Sequence, residues 1–596
     1  MTELLDAATK AATAEEVKSI EVEEKQAEQV ARLFFKTTCP AFLAALDEQS
    51  PSTTDRLIKA GRNVAATVKY VQTPSTSCDD KTHNEKAVGA LSLLVDECTT
   101  MAKILSGEET RRVPKTRFGK TEIQIPLVTL GCMRFQQSWN RDANKEAISR
   151  IDQVDKECQD NLIGILKYAI SMGVTHIETA KGYGCSEMQL GEALAQLFKE
   201  KFVKREDLII QTKGVVAGNM SVKSFKKQIE GQLQRLKLKY VDLFSIHGLN
   251  SDSDLEILFN NDPDRGNLIT AAQELQKEGK IRHIGFSSHG RADLIKRAIE
   301  TDAFAYINMH HHFIGSYTCS GDSVGSGHHG NWANIELARS KDMGVFIISP
   351  YDKGGRLFTP SVKLRELTLP EFEPMTFGSL WLWQYHLLQK TSVSSSPVAH
   401  TIVCGAARPS DLDQPILASF QMLSSSSDPV LLAKTIMVND RLQQRMIDAL
   451  PGGQRWVDTW HVGVKNCHDA KYGTQHGNIV WLYNLVQAFG MLDFAKDRYE
   501  TPNGRTAKWD DSKPKNENVE QYGGVWPWVP GCGYSPDRDY TDDFADCPEE
   551  NRQQLKEAIA FVHKYCQKND PAKLDVPFEW ETSYDMRPSI EFPERK

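Results

Sequence analysis

Three short runs decide how this chain is read: His176-Ile177-Glu178-Thr179-Ala180-Lys181-Gly182-Tyr183-Gly184, Ile210-Gln211-Thr212-Lys213-Gly214 and Leu243-Phe244-Ser245-Ile246-His247-Gly248. Each reads as an apolar strand that delivers a polar group just where it ends. Strand ends on one face of a parallel α/β barrel are where such folds carry their chemistry. A tyrosine, a lysine, a carboxylate and a histidine converging there can protonate a developing alkoxide. Taken singly, Tyr183, Lys213 or His247 is an ordinary polar group at a strand end; only their joint order carries the inference.

Outward from these runs the pattern repeats. Strands are expected at Ile125–Leu130, Val174–Ile177, Leu208–Thr212, Tyr240–Ile246, His283–Ser287, Ala305–Met309, Val345–Ser349 and Thr401–Cys404. Amphipathic helices are expected between them at Asn161–Met172, Ser186–Lys199, Ser221–Leu236, Asn267–Lys277, Arg291–Thr301, Trp332–Lys341 and Thr376–Leu388, with another starting near Ser410. Eight β-α units over roughly 300 residues fit an α/β fold of the (β/α)8 TIM-barrel class. No Gly-x-Gly-x-x-Gly follows the first strand, so a dinucleotide-binding Rossmann unit is not indicated. Insertions at 315–330 and 351–374 follow strands six and seven and would sit on the catalytic face.

The barrel is expected over 113–422, with a helical extension at 1–112 and a mostly helical extension at 428–596. Apolar residues recur at helical spacing in the first, as in Val30, Leu33 and Phe34. It reads either as a bundle packed on the barrel or as a partner-binding module. Ser392–Ser396 and Ser424–Ser427 read as surface loops. The tail is rich in Trp, Tyr and Pro, as in Val525-Trp526-Pro527-Trp528-Val529-Pro530, with helices expected at Ile479–Phe494 and Glu549–Gln567.

Composition bounds the rest. The chain has 596 residues, a net charge of −8 and 25% charged residues. This balance gives no support for a nucleic-acid surface. No apolar run approaches the roughly 18–20 residues of a membrane span. The acidic start lacks the features of a signal or transit peptide. Twelve cysteines without a Cys-x-x-Cys pair look like reduced thiols, and a cytoplasmic location is expected. His289, His310, His311, His312, His328 and His329 form a second constellation, in which alternation puts His310 and His312 on one face and His311 on the other. A His-x-His pair with a loop His-His can bind zinc; the alternative is a set of pocket-lining or surface histidines, since neither Cys nor carboxylate joins them at metal-site spacing, and no metal is assigned.

The chemistry can be specified further. Carbonyl reduction needs a proton donor within hydrogen-bond reach of the carbonyl oxygen. A free tyrosine ionises near about 10, and a neighbouring ammonium is expected to lower that value. A carboxylate fixes the lysine, and a histidine offers a second hydrogen bond to the oxygen. Each such preorganised donor contributes about 3–4 kcal/mol in the transition state.

Several motifs then carry a resemblance: Arg117-Phe118-Gly119-Lys120-Thr121, Leu130-Gly131-Cys132-Met133-Arg134-Phe135, Glu178–Gly184, Thr212-Lys213, His247-Gly248-Leu249-Asn250, Gly279-Lys280-Ile281-Arg282-His283-Ile284-Gly285-Phe286-Ser287 and Gly354-Gly355-Arg356-Leu357. In order and spacing the barrel region resembles an aldo/keto reductase, a (β/α)8 barrel that binds NADP(H) without a Rossmann fold. The resemblance implies Tyr183 as general acid, Lys213 as its partner and His247 as the orienting donor. Glu178 falls where the family has Asp, one methylene shorter. For the cofactor it implies Gly131, Met133, Ser287, Ser288, Asn308 (in place of the usual Gln), Ser349, Gly355, Leu357, Gly405 and Ala406, with Arg408 toward a 2′-phosphate. Asp411 stands where some members have Arg.

The tail resembles that of the branch bearing a ferredoxin-like extension, in Gly477-Asn478-Ile479, in Gly490-Met491-Leu492-Asp493 and in Cys547-Pro548. The cluster-binding cysteines of that branch are depleted to Cys467, Cys532 and Cys547, which implies a degenerate scaffold without its cluster. The resemblance therefore implies an NADP(H)-dependent reductase of an aldehyde or ketone, a small-molecule carbonyl being the partner. The competing expectation is a weak or inactive cofactor-binding barrel acting as a redox-sensing or scaffolding subunit, with its N-terminal helices or tail as docking surfaces for another protein.

Overall fold

The structure, a computed structural model, describes residues 2–15, 17, 23–46, 51–73, 79–135, 150–261, 265–316, 330–388, 397, 399–423, 428–499, 510, 512–514, 517–518, 530–531, 534–567 and 574–586. His328, His329, Cys532, the aromatic run 525–529 and the serine runs 392–396 and 424–427 lie outside the described residues.

Two short strands, β1 (Lys115–Arg117) and β2 (Gln124–Pro126), form an antiparallel hairpin. Eight parallel strands follow: β3 (Val128–Gly131), β4 (His176–Glu178), β5 (Ile209–Gly214), β6 (Val241–Ile246), β7 (Ile281–Ser287), β8 (Tyr306–Met309), β9 (Gly344–Ile347) and β10 (Thr401–Gly405). They close into a barrel in chain order, β10 pairing with β3. The expected first strand, Ile125–Leu130, is thus two elements. Pro126 pairs with Lys115 inside the hairpin, whose last cross-strand bond runs from Leu127 N to Pro114 O at 2.9 Å, and the barrel strand starts at Val128. The hairpin presses Phe118 against Tyr306 and His400, plugging the end opposite the catalytic face.

The helices between the strands begin and end for local reasons. Ser221 and Asn267 accept the N–H of Ser224 and Thr270, capping Val222–Leu236 and Leu268–Lys277. Sequence reasoning missed Asp252–Phe259, although Ser251 and Asp254 form its capping box. Inside the barrel runs a buried polar ladder. Thr129 bonds Thr401 and His176 Nδ1, each at 2.7 Å, and His176 Nε2 reaches Gln211 Oε1 at 3.0 Å. Gln211 Nε2 donates to Ser245 Oγ at 3.0 Å, and Ser245 meets the Tyr306 hydroxyl at 2.9 Å. This ladder ties β3, β4, β5, β6, β8 and β10 together one layer below the strand ends.

The N-terminal helices Thr2–Ala14, Glu24–Thr38, Pro40–Ala45, Pro51–Gln72 and Asp80–Leu105 bury their own core around Val30, Phe34, Phe35, Leu57 and Leu91. They dock on the barrel through Arg56–Asp413 at 2.8 Å and Lys59–Asp411 at 2.8 Å. After the barrel come helices Pro429–Ala449, Gly453–Thr459, His476–Phe489, Leu492–Tyr499 and Glu549–Cys566. The expected single helix Ile479–Phe494 is broken at Gly490. Its φ of +66° is left-handed, and a Cβ there would meet Glu579 O at 2.9 Å. No helix among the described residues is long and apolar enough to cross a membrane.

Candidate active site

The barrel register sets the site. Glu178 lies opposite Gly131 on one side and Gln211 on the other, and Lys213 lies opposite Ser245. Glu178 and Lys213 therefore sit at the strand ends, just above the polar ladder. Beyond β4 the chain turns tightly, with Thr179 N bonded to Gln211 O at 2.9 Å and Tyr183 N to Ala180 O at 3.0 Å. This turn brings Tyr183 back over Lys213. His247 follows β6, held by its N–H to Gly214 O at 2.8 Å.

The four side chains meet. Lys213 Nζ forms an ion pair with Glu178 Oε1 and donates to the Tyr183 hydroxyl at 3.0 Å and to Thr179 O at 3.2 Å. It also lies 4.6 Å from the Tyr183 ring centroid. The Tyr183 and His247 rings stand 5.7 Å apart, edge to face at 88°. Gly182 runs beside His247, where a Cβ would stand in ordinary contact 3.5 Å from His247 Cε1. The extra methylene of Glu178 thus does not keep its carboxylate from Lys213.

Burial sets the protonation states. It pushes His247 down to about 3, assisted by Lys213, so the imidazole is neutral. Burial also drives Lys213 well below the ordinary lysine range, while the Glu178 carboxylate against it acts in the opposite sense. Tyr183 departs from expectation. Burial, reinforced by the Cys132 thiol, raises the phenol above its ordinary value rather than Lys213 lowering it. A raised value keeps the phenol protonated, the state a proton donor needs. His247 Nδ1 is buried without a hydrogen-bond partner among the described residues. Buried polar atoms are normally satisfied, so this one marks a place for a ligand atom.

The residues expected to hold a cofactor ring the same mouth. Ser287 lies opposite Asn308 in the β7–β8 register. Asn308 Oδ1 accepts from Ser245 at 3.3 Å and from Gln211 at 3.4 Å, and its Nδ2 is buried without a partner among the described residues. The Ser287 hydroxyl accepts from Gly248 N at 3.0 Å. The Ser288 hydroxyl donates to Leu249 O at 2.6 Å and accepts from Gly290 N at 3.0 Å, which engages it with backbone on both sides. Gly131 lies beside Gly405 in the β3–β10 register. Met133 is exposed just beyond. Ser349, Gly355 and Leu357 lie on the loop after β9, where Gly355 has φ +100°. Gly405, Ala406 and Arg408 follow at β10. Arg408 Nη2 is buried without a partner among the described residues, whereas Asp411 accepts the N–H of Ala407 at 2.8 Å and of Arg408 at 3.1 Å. These orphaned donors at Asn308 and Arg408 fit the amide and phosphate ends of a nicotinamide dinucleotide.

His310 and His312 lie together, rings 5.8 Å apart, and His311 turns away toward Trp332 and Trp381. His310 Nε2 meets His289 Nδ1 at 2.6 Å. No group of three His, Cys, Asp or Glu among the described residues has metal-holding geometry. Sequence reasoning missed Thr179, whose carbonyl holds Lys213, and Asp352, Lys353 and Arg498 at the rim. The last comes from the tail, so no local pattern announces it.

Fold and cluster together define a (β/α)8 barrel with a buried acid–base group at the C-terminal ends of its strands. Residues 128–324, within the barrel, match the model of the aldo/keto reductase family. The chain is similar to an uncharacterized oxidoreductase of Bacillus subtilis (strain 168), at 28% identity over 209 residues, covering 33% of this chain and 55% of that protein. It is also similar to the NADP-dependent D-sorbitol-6-phosphate dehydrogenase of Malus domestica, at 36% identity over 89 residues, covering 15% of this chain and 27% of that protein. The chain spans about half the length of the curated relatives it matches first. Among solved structures it resembles an aldo-keto reductase from Bacillus halodurans in its holo form, at 19% identity and a TM-score of 0.38, covering 55% of this chain and 96% of that one.

Proposed function

We propose that the chain is an NADP(H)-dependent oxidoreductase that reduces an aldehyde or ketone to an alcohol, with Tyr183 as general acid. The observation that carries this reading is the Lys213 ammonium bonded at once to Glu178 and, at 3.0 Å, to the Tyr183 hydroxyl, beneath a neutral His247. The nicotinamide, when bound, supplies the hydride. Asn308 and Ser287 would hold its amide, and Arg408 the 2′-phosphate. His247 orients the substrate oxygen by a hydrogen bond. Tyr183 gives that oxygen its proton as negative charge develops, and Lys213 stabilises the phenolate left behind. Glu178 holds Lys213 in place and keeps it charged against the cost of burial. The similarity to the Malus domestica NADP-dependent D-sorbitol-6-phosphate dehydrogenase supports both the cofactor and the reaction class.

We also propose the division at 1–112, 113–422 and 428–596, and a ferredoxin-like origin for the tail. Cys467 and Cys547 are buried there, and the backbone at Gly463 lies against Asp546 and Cys547. The test is NADPH oxidation by the purified chain over a panel of aldehydes and ketones. Turnover that Tyr183→Phe abolishes while NADPH still binds is the expected result. Cofactor binding without oxidation of any carbonyl, unchanged by that substitution, would leave a binding subunit instead.

A further inference from the structure

Three strands at the site each carry a second polar residue two places before the first: His176 before Glu178, Gln211 before Lys213 and Ser245 before His247. Residues two apart share one face of a strand. These three therefore form a layer directly beneath the catalytic group, fully buried together with Thr129, Tyr306, Asn308 and Thr401.

The hydrogen bonds of this layer run in one direction. Gln211 Oε1 carries no proton, so His176 Nε2, 3.0 Å away, donates to it. Burial pushes His176 down to about 3 and keeps its ring neutral, which leaves Nδ1 to accept from Thr129 Oγ1 at 2.7 Å. The single Thr129 hydroxyl proton is then engaged, and Thr401 donates to Thr129 at 2.7 Å. Toward the mouth, Gln211 Nε2 donates to Ser245 Oγ at 3.0 Å and to Asn308 Oδ1 at 3.4 Å. Ser245 donates to the same Oδ1 at 3.3 Å, so Tyr306 donates to Ser245 at 2.9 Å. Moving the imidazole proton to Nδ1 would set His176 Nε2 and Gln211 Oε1 face to face as two acceptors. Relief would require turning Gln211 and then Asn308, because a buried polar atom left unpaired is costly.

The chain of bonds ends at Asn308. Its Oδ1 takes both bonds from the layer, and Nδ2, on the other side of the amide, is buried without a partner among the described residues. Asn308 lies opposite Ser287, whose hydroxyl accepts the N–H of Gly248, the neighbour of His247. The unmet donor thus stands beside the catalytic group.

We propose that His176 is a positioning residue for the nicotinamide: its Nε2–H, acting through Gln211 and Ser245, fixes the Asn308 amide so that Nδ2 is the group offered to the carboxamide, which it receives by its oxygen. The assignment rests on the function proposed above. His176 touches neither ligand; it decides which end of a two-ended amide the site presents.

The test joins a spectrum to a binding ratio, both on the full chain. Nitrogen NMR, with the His176 signals assigned by their absence in His176→Gln, should show a neutral ring protonated at Nε2; a proton on Nδ1 overturns the proposal. Tryptophan quenching then compares NADPH with its reduced 3-acetylpyridine analogue, which keeps the carbonyl oxygen but has a methyl in place of the NH2. In Gln211→Glu an ionised carboxylate only accepts, so Asn308 turns to give it Nδ2 and offers Oδ1 instead. NADPH can meet that oxygen with its NH2, whereas the analogue cannot. From pH 6 to 9 the analogue should therefore lose about fivefold more affinity than NADPH, the worth of one hydrogen bond. A ratio that stays at the wild-type value across that range overturns the proposal. His176→Phe, which keeps a ring of similar size, should weaken NADPH about fivefold, and His176→Gln, which restores a donor, should recover part of the loss; equal losses in the two reduce His176 to packing and also overturn it. The tautomer is read on wild type, so a folding defect in a variant does not decide the matter. If wild type binds neither ligand, the function proposed above fails, while the tautomer still decides the direction of the layer.

Discussion

Replacing Glu178 with glutamine tests the link on which the site depends. The change keeps the shape of the side chain and one carbonyl acceptor but removes the charge beside Lys213. That ammonium is buried, and its remaining contacts are the Thr179 carbonyl at 3.2 Å and the Tyr183 hydroxyl at 3.0 Å. Two unit charges about 3 Å apart interact by about 5 kcal/mol at an effective dielectric of about 20. Loss of one partner of a buried pair costs about 3–5 kcal/mol, because the survivor is stranded. Lys213 has an escape, since burial already pushes it well below the lysine range and it can shed its proton. The uncharged amine would then no longer stabilise the Tyr183 phenolate. Denaturant unfolding should register a loss of up to about 3–5 kcal/mol, and kcat should fall about 10²- to 10³-fold, the usual effect of one preorganised electrostatic group. Glu178→Asp, which keeps the charge, should lose less on both measures. An unfolding free energy within about 1 kcal/mol of wild type, together with near-wild-type kcat in Glu178→Gln, would refute the reasoning.

Other outcomes follow from the same geometry. Gly355→Ala places a Cβ on Met491 at φ +100°, so its NADPH affinity should fall, and adding Met491→Ala should restore part of it; equal loss in the double variant would rule out the steric account. Arg408→Gln should raise the KM for NADPH about 10- to 100-fold, the worth of a charge-assisted hydrogen bond, while leaving NADH within about twofold; parallel changes for both cofactors would remove Arg408 from the 2′-phosphate. Stability should depend on pH in two windows. His176, His247 and His311 are depressed to about 3 and His312 to about 4 by burial, so from about pH 4.5 to 6.5 the unfolded chain binds protons these groups refuse. Glu97, raised to about 8 by burial, works in the opposite direction between about 4.5 and 8. Below about 6.5 the depressed histidines outweigh Glu97, so stability should rise with pH to about 6.5 and then fall shallowly toward 8 as Glu97 continues to act. Urea unfolding across pH 5 to 8 checks this, and a flat profile below 6.5 would contradict it.

The eight barrel strands were legible because each is a short apolar burst bounded by polar or glycine residues, and Lys213, Glu178 and His247 were legible because they stand where those bursts stop. The division of Ile125–Leu130 into hairpin and barrel strand was concealed by the apolar run across Pro126. Gly490 was hidden in the same way inside a strongly apolar helix. The polar ladder was out of reach, because Thr129, His176, Gln211, Ser245, Tyr306 and Thr401 come from six strands and are unremarkable within each one. The state of Tyr183 was misjudged for a related reason. Sequence names the ammonium beside it, whereas the degree of burial, which outweighs that ammonium, belongs to the assembled fold.

Both extensions are fastened by buried charge. Arg365, on the helix Val362–Thr368, donates to both oxygens of Glu373, to Asn63 Oδ1 at 2.7 Å and to Thr67 Oγ1 at 3.2 Å. Tyr584 from the tail donates to the same Glu373 at 2.9 Å, under the Arg365 guanidinium. One knot therefore joins the N-terminal helix Pro51–Gln72, the insertion after β9 and the C-terminal tail. Asp411 and Asp413 are likewise neutralised by Lys59 and Arg56 from that N-terminal helix. Buried pairs contribute little net stability compared with apolar packing, but removing one side strands the other. A barrel freed of its extensions would keep Asp411, Asp413, Arg365 and Glu373 with much of their compensation gone, around the loops proposed to hold the cofactor. The extensions are thus bound to the barrel by buried charge pairs, one of which, Lys59–Asp411, stands beside the N–H groups of Ala407 and Arg408.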